Sequence, residues 1–390
     1  MFSFLRAAPL KLRYVVAFAA AFLIAACDPS AFGAGGPRIN TTAPVPVALL
    51  VPRGGTSGDD VLAQNLENAA RLAMRDLDGV SIDLRVYATG GNANTAAAVA
   101  GQAVQEGAKI ILGPVYGEAA NAAGLAVASR GVNVLSFSNN PTIAGGNVFI
   151  LGPTFQNTAN RMVGFAKRDG KDQIVVLHAN DVAGQLGLQA VQNAIAANGA
   201  TFSGRVDYAP SQSAVITAVP RVRAMVDQTG ANALFLTSSS ASALPLFSQM
   251  LPEGGVRADE TQFIGLTRWD IPRQTLDLPG VQGGWFALPD PVASEAFAAQ
   301  YATAYGGPPH PLAGLAFDGI AAVGALVGSG DTAALTGNSL TQSAGFRGAS
   351  GIFRLSADGL NERGLAVATV ENREVVILEN APQSFGGFGF

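Results

Sequence analysis

Few residues in this chain of 390 could act as nucleophiles or as acid–base groups. It contains two histidines, His178 and His310, and one cysteine, Cys27. Hydroxyl groups cluster at Ser238-Ser239-Ser240, but this run lacks the flanking glycines of a GxSxG nucleophile elbow. The sequence contains no GxxxxGKS/T loop, and no GxGxxG follows its first predicted strand, so common phosphate and dinucleotide sites are excluded. So few Cys and His residues also argue against a zinc site, and we predict a protein that is not an enzyme and needs no cofactor or metal.

Composition and charge restrict the partners further. Lys and Arg number 24 against 28 Asp and Glu, which gives a formal net charge of −4 and argues against a nucleic acid partner. Hydrophobic residues make up 48% and charged residues 13%, so most of the chain is expected to fold around apolar cores. The length corresponds to roughly two domains of about 150 residues with additional segments.

The N-terminus has the pattern of an export signal. Basic residues precede an apolar run, Tyr14–Ala26, which is shorter than the roughly 20 residues needed to span a bilayer. The run ends in Leu-Ile-Ala-Ala directly before Cys27 and resembles a bacterial lipobox. This resemblance implies a lipoprotein signal peptide over residues 1–26 and lipid attachment to Cys27. An ordinary signal peptide cut nearby and a short membrane anchor are the alternatives.

Residues 27–44 are rich in Gly, Pro, Ala and Thr, and we predict a flexible tether between the lipid and the folded body. Asp28 resembles a retention signal for the inner membrane of enteric bacteria. Both the inner and the outer membrane are nevertheless compatible with the sequence.

Predicted strands and helices alternate along the body of the chain. Val45–Val51 is apolar at both alternating positions, as in a central parallel strand, and similar strands recur between helices of 10 to 15 residues. This pattern predicts βαβ units, and the same rhythm begins again after residue 151. Pro220 lies inside a predicted helix over 211–228, where we expect a kink or a break. Gly/Pro-bounded crossings near 150 and 285 predict two hinged α/β lobes, which can close over a ligand.

The order of these elements resembles the type I periplasmic binding proteins, the leucine-binding class, over residues 45–380. The motifs that carry the resemblance are VALLVP at 47–52, IILGPVYGE at 110–118, VNVLSFSNNP at 132–141 and LAFDGI at 315–320. The implied fold has two lobes, each a mostly parallel sheet flanked by helices, joined by hinge crossovers. We expect lobe 1 to comprise 45–150 and 288–340, lobe 2 to comprise 151–284 and 341–380, and 381–390 to form a Gly/Phe-rich tail.

Two further stretches, Leu278–Pro289 and Gly345–Val370, resemble a subgroup of this family, the penicillin-binding protein activators. That resemblance implies a lipid-anchored periplasmic regulator whose partner is a peptidoglycan synthase. The alternative is the substrate-binding component of an ABC transporter for branched-chain or other amino acids, with a permease as the partner. A hydrolase is a third possibility, but no reactive residue with a partnered base supports it.

The family resemblance also implies a ligand site in loops that follow predicted strands, where open α/β sheets bind ligands. The eight candidate residues are Tyr116, Ser136, Ser138 and Asn139 from the first lobe, and Asp181, Ser238, Thr267 and Arg268 from the second. Arg268 could pair with a ligand carboxylate, Asp181 could hold an ammonium group, and the serines could donate hydrogen bonds. Alternatively, these loops are polar because loops are solvated.

Overall fold

The computed structural model describes residues 36–386. The predicted signal peptide, Cys27 and the last four residues lie outside the described residues. None of the helices in the described part combines the length and the apolar character needed to cross a membrane.

The first sheet has five parallel strands in the order β2-β1-β3-β4-β5. The strands are β1 (Val45–Val51), β2 (Ile82–Ala88), β3 (Ile110–Leu112), β4 (Asn133–Ser136) and β5 (Val148–Ile150), and the helices between them are α1 (Ser57–Arg75), α2 (Ala93–Gln105) and α3 (Gly117–Val127). Alternate residues of β1 enter different cores: Leu49 packs on one face of the sheet and Leu50 on the other. Burial on both faces explains why β1 is apolar throughout.

The second sheet has seven strands in the order β15-β14-β10-β9-β8-β6-β7. Its parallel strands are β6 (Gln173–Ala179), β7 (Thr201–Tyr208), β8 (Ala233–Leu236), β9 (Gln262–Gly265) and β10 (Trp285–Pro289), and β14 (Leu365–Glu371) and β15 (Glu374–Glu379) are added antiparallel. Its helices are α4 (Phe155–Arg168), α5 (Val182–Asn198), α6 (Gln212–Thr229) and α7 (Leu244–Glu253). The two faces of β6 again enter separate cores, with Leu177 in one and Val176 in the other.

The remaining elements complete the first lobe. They are α8 (Pro291–Tyr305), α9 (Gly314–Gly328), α10 (Gly337–Leu340), β11 (Phe346–Gly348), β12 (Gly351–Leu355) and β13 (Asn361–Arg363). Helices α8 and α9 pack against α1, and the small antiparallel sheet β11-β12-β13 contributes Phe346, Phe353 and Leu355 to the first core. The sequence assigns all of 341–380 to the second lobe, whereas in this arrangement only β14 and β15 join the second sheet. The complete set of lobe boundaries stays a prediction.

The lobes are joined where β5 leads to α4, β10 leads to α8 and β13 leads to β14. Asn361 links two of these crossovers, because its Nδ2 donates to the carbonyl oxygens of Ile150 at 2.7 Å and Gly152 at 2.9 Å. Beside it, the Arg363 guanidinium lies 3.0 Å from the carboxylate of Asp318 on α9, and both side chains are buried. Burial raises the pKa of Asp318, while Arg363 and the Ala349 N–H counteract this effect. The predicted fold class, two α/β lobes with hinge crossovers, is confirmed.

Of the kink or break expected at Pro220, helix α6 shows no break. It runs from Gln212 to Thr229 without a break, although Pro220 lies inside it. Proline removes one backbone donor, but Pro220 lies on the exposed face of the helix, where water can bind the freed carbonyl. One lost hydrogen bond at an exposed position does not end the helix.

Candidate functional site

A cavity of about 520 Å³ lies at the carboxyl edge of the second sheet. Segments that follow β6, β7, β8 and β9 form most of its wall. Strand β6 lies between β7 and β8, so the connection from β6 to β7 and the next one, from β7 to β8, run in opposite directions across the sheet. Open α/β sheets bind ligands at such a switch point, because the loops diverge there and leave a crevice. The first sheet has the same arrangement at β1, between β2 and β3.

The cavity wall is largely apolar, with hydroxyl groups on one part of it. Apolar surface comes from residues that include Phe155, Ala183, Tyr208, Val215 and Leu246. Hydroxyl groups come from Ser211, Thr237, Ser238, Ser239, Ser242 and Thr267. Among residues 36–386, Asp181 is the one charged side chain on this wall. The wall therefore suits a compact ligand with an apolar body and a few hydrogen-bonding groups.

Asp181 has a fixed position because it caps helix α5. Its Oδ1 accepts a hydrogen bond from the Gly184 N–H at 2.7 Å, as expected for an aspartate at an N-cap. Its Oδ2 has no hydrogen-bond partner among residues 36–386, and the side chain is exposed at the cavity. A β-carbon on Gly184 would lie 2.0 Å from the carbonyl oxygen of Ala179, so only glycine lets α5 begin this close to β6. One carboxylate oxygen thus remains available to a ligand.

Ser238 and Tyr208 place hydroxyl groups in a buried part of the same wall. Ser238 is 5% exposed, and its hydroxyl makes no hydrogen bond of normal geometry within the described part of the chain. Burial raises the pKa of Tyr208 to about 12, although the nearby Ser238 hydroxyl partly offsets this shift. Tyr208 therefore stays a neutral phenol at physiological pH. Thr267 lies beside them and donates its hydroxyl to the Ser238 carbonyl at 3.3 Å.

Arg268 does not line the cavity. Its Nε donates to Asp270 Oδ1 at 2.9 Å, and its Nη2 makes a second short contact with the same carboxylate. This bidentate pairing uses the guanidinium edge that a ligand carboxylate would need. A ligand contact from Arg268 stays a prediction, and it would require the pair with Asp270 to separate.

The four candidates in the first lobe do not line the 520 Å³ cavity. The Tyr116 hydroxyl donates to the Asp59 carboxylate, and this hydrogen bond, with those from Thr56, lowers the pKa of Asp59. Ser136 is buried and donates to the Pro114 carbonyl at 3.2 Å, while Ser138 accepts the Asn140 N–H at 3.1 Å. Asn139 is exposed. The structure therefore brings Asp181, Ser238 and Thr267 together around one cavity but leaves the first-lobe set outside it.

Sequence reasoning missed several residues of the cavity wall. Tyr208 is the last residue of β7 and Ser211 follows it, so polar residues at the end of this strand would have indicated them. Phe155 and Leu246 come from helices and carry no local signal, because their place in the wall depends on how α4 and α7 pack. His178, a candidate acid–base residue, is buried at the end of β6, with Nδ1 2.9 Å from the Ala179 carbonyl oxygen.

No group of three His, Cys, Asp or Glu side chains within residues 36–386 is arranged to hold a metal ion. The cavity chemistry therefore comes from hydroxyl groups, one carboxylate and apolar surface.

The sequence profile described as "Periplasmic binding protein" matches residues 44–374. This chain belongs to the periplasmic binding protein family. Membership implies a periplasmic location, and the two-lobed architecture is that of the type I, leucine-binding-protein-like members. No curated protein sequence matches the chain significantly.

Solved structures with the same fold come from several bacteria. A branched-chain amino acid ABC transporter protein from Rhodospirillum rubrum has a TM-score of 0.73 at 18% identity, covering 86% of this chain and 100% of that one. A substrate-binding protein from Desulfitobacterium hafniense in complex with Leu has a TM-score of 0.61 at 17% identity, with coverages of 86% and 100%. A solute-binding protein from R. palustris in complex with benzoate has a TM-score of 0.54 at 18% identity, with coverages of 89% and 99%. At such identities the likeness shows the fold.

Proposed function

We propose that this protein is the non-enzymatic solute-binding component of an ABC importer and that its ligand is an amino acid or a related small amine. The observation that carries the proposal is Asp181. Within the described part of the chain, it is the one charged residue on the wall of the 520 Å³ cavity, and one oxygen of its carboxylate is free. A carboxylate in a mostly apolar wall favours a positively charged ligand. When the site closes, the carboxylate loses its water, and only an opposite charge on the ligand would compensate for that loss.

The rest of the wall supports a ligand with an apolar body. The similar structures carry Leu in one case and benzoate in another, so the fold alone leaves the ligand class open. No Lys or Arg lines the cavity in the described part of the chain, and the nearby guanidinium of Arg268 is paired with Asp270. A ligand with only a carboxylate would find no cation on this wall. An ammonium group therefore distinguishes the ligands that we expect to bind.

The first lobe supplies groups for the other end of such a ligand when the lobes close. The Ser138 hydroxyl accepts one hydrogen bond but donates none within residues 36–386. Within the described part of the chain, helix α3 begins after Tyr116 without a side-chain cap, so its first N–H groups can bind an anion such as a carboxylate. We propose that these groups bind the ligand carboxylate while Asp181 binds the ammonium.

A second candidate function is that of a penicillin-binding protein activator with a peptidoglycan synthase as the partner. The resemblance of Leu278–Pro289 and Gly345–Val370 to that subgroup favours it. The pairing of Arg268 with Asp270 also favours it, because this guanidinium is then not available to bind the carboxylate of an amino acid. For both candidates we also propose that lipid on Cys27 anchors the protein to a bacterial membrane.

Matched ligands and one substitution test the main proposal. Leucine, isoamylamine and isocaproate share the isobutyl group of the leucine side chain. Leucine carries both an ammonium and a carboxylate, isoamylamine carries only the ammonium, and isocaproate carries only the carboxylate. We expect thermal unfolding to shift upward with leucine and isoamylamine but not with isocaproate, since ligand at 100 times its Kd stabilises by about 2.7 kcal/mol. Asp181→Asn should weaken binding of the amines at least about tenfold, which corresponds to ~1.4 kcal/mol.

Asparagine is as good an N-cap as aspartate, so Asp181→Asn should leave the unliganded stability unchanged. Asp331→Asn is a matched control, because Asp331 also accepts a backbone N–H, from Ala333 at 2.8 Å, in an exposed loop of the first lobe. Equal shifts for all three ligands would contradict the role of Asp181. If amino acids and peptidoglycan fragments cause no shift and a purified peptidoglycan synthase binds, the activator function replaces the receptor.

A further inference from the structure

After its last strand, β15, the chain returns from the second lobe to the first. Residues 381–386 make this return, and we call them the C-terminal strap. Ala381 is buried in a core of the second lobe. Phe385 lies against β12 of the small sheet that packs on the first core, with the Arg354 guanidinium 4.7 Å from its ring centroid. The strap therefore links the lobes at a further place beside the crossovers, through non-covalent contacts at its first-lobe end.

Gln383 makes the polar contacts of the strap with the first lobe. Its Nε2 donates to Asp290 Oδ2 at 2.8 Å, and its Oε1 accepts from Arg347 Nη1 at 3.1 Å. The Gln383 carbonyl oxygen accepts from Nη2 of the same guanidinium at 3.1 Å. Asp290 caps helix α8 and Arg347 lies on β11, so both partners move with the first lobe. Hydrogen bonds to charged groups are stronger than those between neutral groups.

The ring of Phe385 occupies a place that a glycine leaves open. A β-carbon on Gly345 would lie 2.9 Å from a ring carbon of Phe385, so a larger residue there would displace the ring. The Arg354 guanidinium lies over the same ring at a distance suited to a cation–π contact. The end of the strap is thus fixed on the first lobe by packing as well as by hydrogen bonds.

The strap has little slack between its two attachments. Pro382 alone separates Ala381, in the second core, from Gln383, on the first lobe. The proline ring restricts the backbone, and Pro382 also packs on the crossover from β13 to β14, where a β-carbon on Gly364 would lie 3.1 Å from its carbonyl oxygen. A rotation of one lobe against the other must therefore change the contacts of Gln383 or Phe385.

The contacts of the strap belong to an open arrangement of the lobes. The second lobe supplies every lining residue of the 520 Å³ cavity that the structure describes, so the first lobe stands away from this site. We propose that the C-terminal strap stabilises the open arrangement and that closure of the lobes over a ligand must overcome its contacts. Loss of the strap would then raise the closed fraction of the unliganded protein and lower the apparent Kd for a ligand that closes it.

A distance measurement across the cleft tests the strap without any ligand. Nitroxide labels on Val61→Cys, near the start of α1, and Val182→Cys, at the start of α5, report the separation of the lobes by double electron–electron resonance. Both positions are exposed, and neither lines the 520 Å³ cavity. Cys27→Ala removes the one native cysteine, so labels attach to the two introduced positions.

Gln383→Ala and Arg347→Ala remove the same contact from opposite sides. We expect each to add a population at shorter distance, and the double variant to show less than the sum of the two effects, because the partners are shared. Ser384→Ala is the matched control, since Ser384 is an exposed strap residue whose side chain makes no hydrogen bond within residues 36–386. Distance distributions identical to that of the unsubstituted protein in both variants would overturn the proposal.

Titration with isoamylamine adds a second readout, which rests on the proposed receptor function. We expect Gln383→Ala to lower the Kd about threefold or more, and Ser384→Ala to leave it unchanged. If the distances shift but no amine binds, the strap stands and the receptor function fails. If amine binding depends on Asp181 while distances and affinities are the same with and without Gln383, the receptor function stands and the strap fails.

Discussion

The hydrogen bond between Tyr116 and Asp59 shows how single residues prepare the cleft surface of the first lobe. Asp59 closes a capping box with Thr56 at the start of α1, accepting the Thr56 N–H at 2.8 Å. Tyr116, at the start of α3, donates its hydroxyl to the same carboxylate. One side chain therefore ties together the first turns of two helices that flank the switch point of the first sheet. The aspartate is consequently unavailable as a free ligand group, in contrast to Asp181 in the second lobe.

This hydrogen bond predicts a pH-dependent stability difference for Tyr116→Phe. The folded-state pKa of Asp59 is lowered, so its contribution to stability is present above the unfolded-state pKa and is lost as the pH falls through the folded-state pKa. We expect the variant to be less stable than the unsubstituted protein near neutral pH, with the difference shrinking in acid. Urea unfolding over a range of pH measures this difference.

Tyr305→Phe is the control for that measurement. The Tyr305 hydroxyl donates to the uncharged carbonyl of Asn68 at 2.9 Å, so the cost of its removal should not depend on the ionisation of a carboxylate. If Tyr116→Phe also loses stability by an amount that does not depend on pH, the Tyr116 hydrogen bond does not stabilise the ionised form of Asp59.

At the scale of elements, the position of α5 relative to β6 defines the candidate ligand site. The helix begins only two residues after the strand ends, and its first turn contains Gly184 packed against the backbone of Ala179. The tight connection directs the Asp181 cap toward the cavity. A displacement of α5 would move the carboxylate of Asp181, which we propose binds the ligand, together with the cavity wall.

Two glycine substitutions with opposite expected effects on stability test this packing. Gly184→Ala should destabilise by about 1–3 kcal/mol and abolish amine binding, because its β-carbon would overlap the Ala179 carbonyl oxygen. Gly101→Ala, inside α2, should instead stabilise by about 0.5–1 kcal/mol, because alanine is the better helix former and the site has room for the added carbon. Within residues 36–386, apart from adjacent residues and the backbone of α2 itself, no atom lies within 4 Å of that carbon. Denaturant midpoints measure both changes. A neutral Gly184→Ala would show that α5 can shift without cost to the fold.

At the scale of the whole molecule, the lobes are held by connections that lie close together. Asn361 joins the first and last crossovers, and the buried pair of Asp318 and Arg363 joins the last crossover to α9. Breaking such a pair by removing one partner costs about 3–5 kcal/mol, because the remaining charge stays buried. The first and last crossovers and α9 therefore form one connected hinge region.

The proposed membrane localisation of the whole molecule depends on lipid attachment to Cys27. We expect the exported protein to fractionate with membranes and its mature N-terminus to carry lipid, as measured by mass spectrometry. Cys27→Ala should release the protein into the soluble fraction or leave an unprocessed precursor. Removal of the signal peptide at another position, with no lipid on the mature chain, would favour an ordinary signal peptide and contradict the anchor.

The sequence by itself determined the order of the elements and the fold class, because these depend on local patterns. The apolar run of β1 already indicated burial on both faces, and polar residues after predicted strands located the edge where Asp181, Ser238 and Thr267 meet. Only the tertiary structure decided which strand ends adjoin one another, that Phe155 and Leu246 complete the cavity, and that Arg268 is paired with Asp270. It also brought Asp318 to Arg363, although the two residues are far apart in sequence. Strand order and side-chain pairing arise from contacts between residues far apart in sequence, and no local pattern of residue types encodes which of those contacts form.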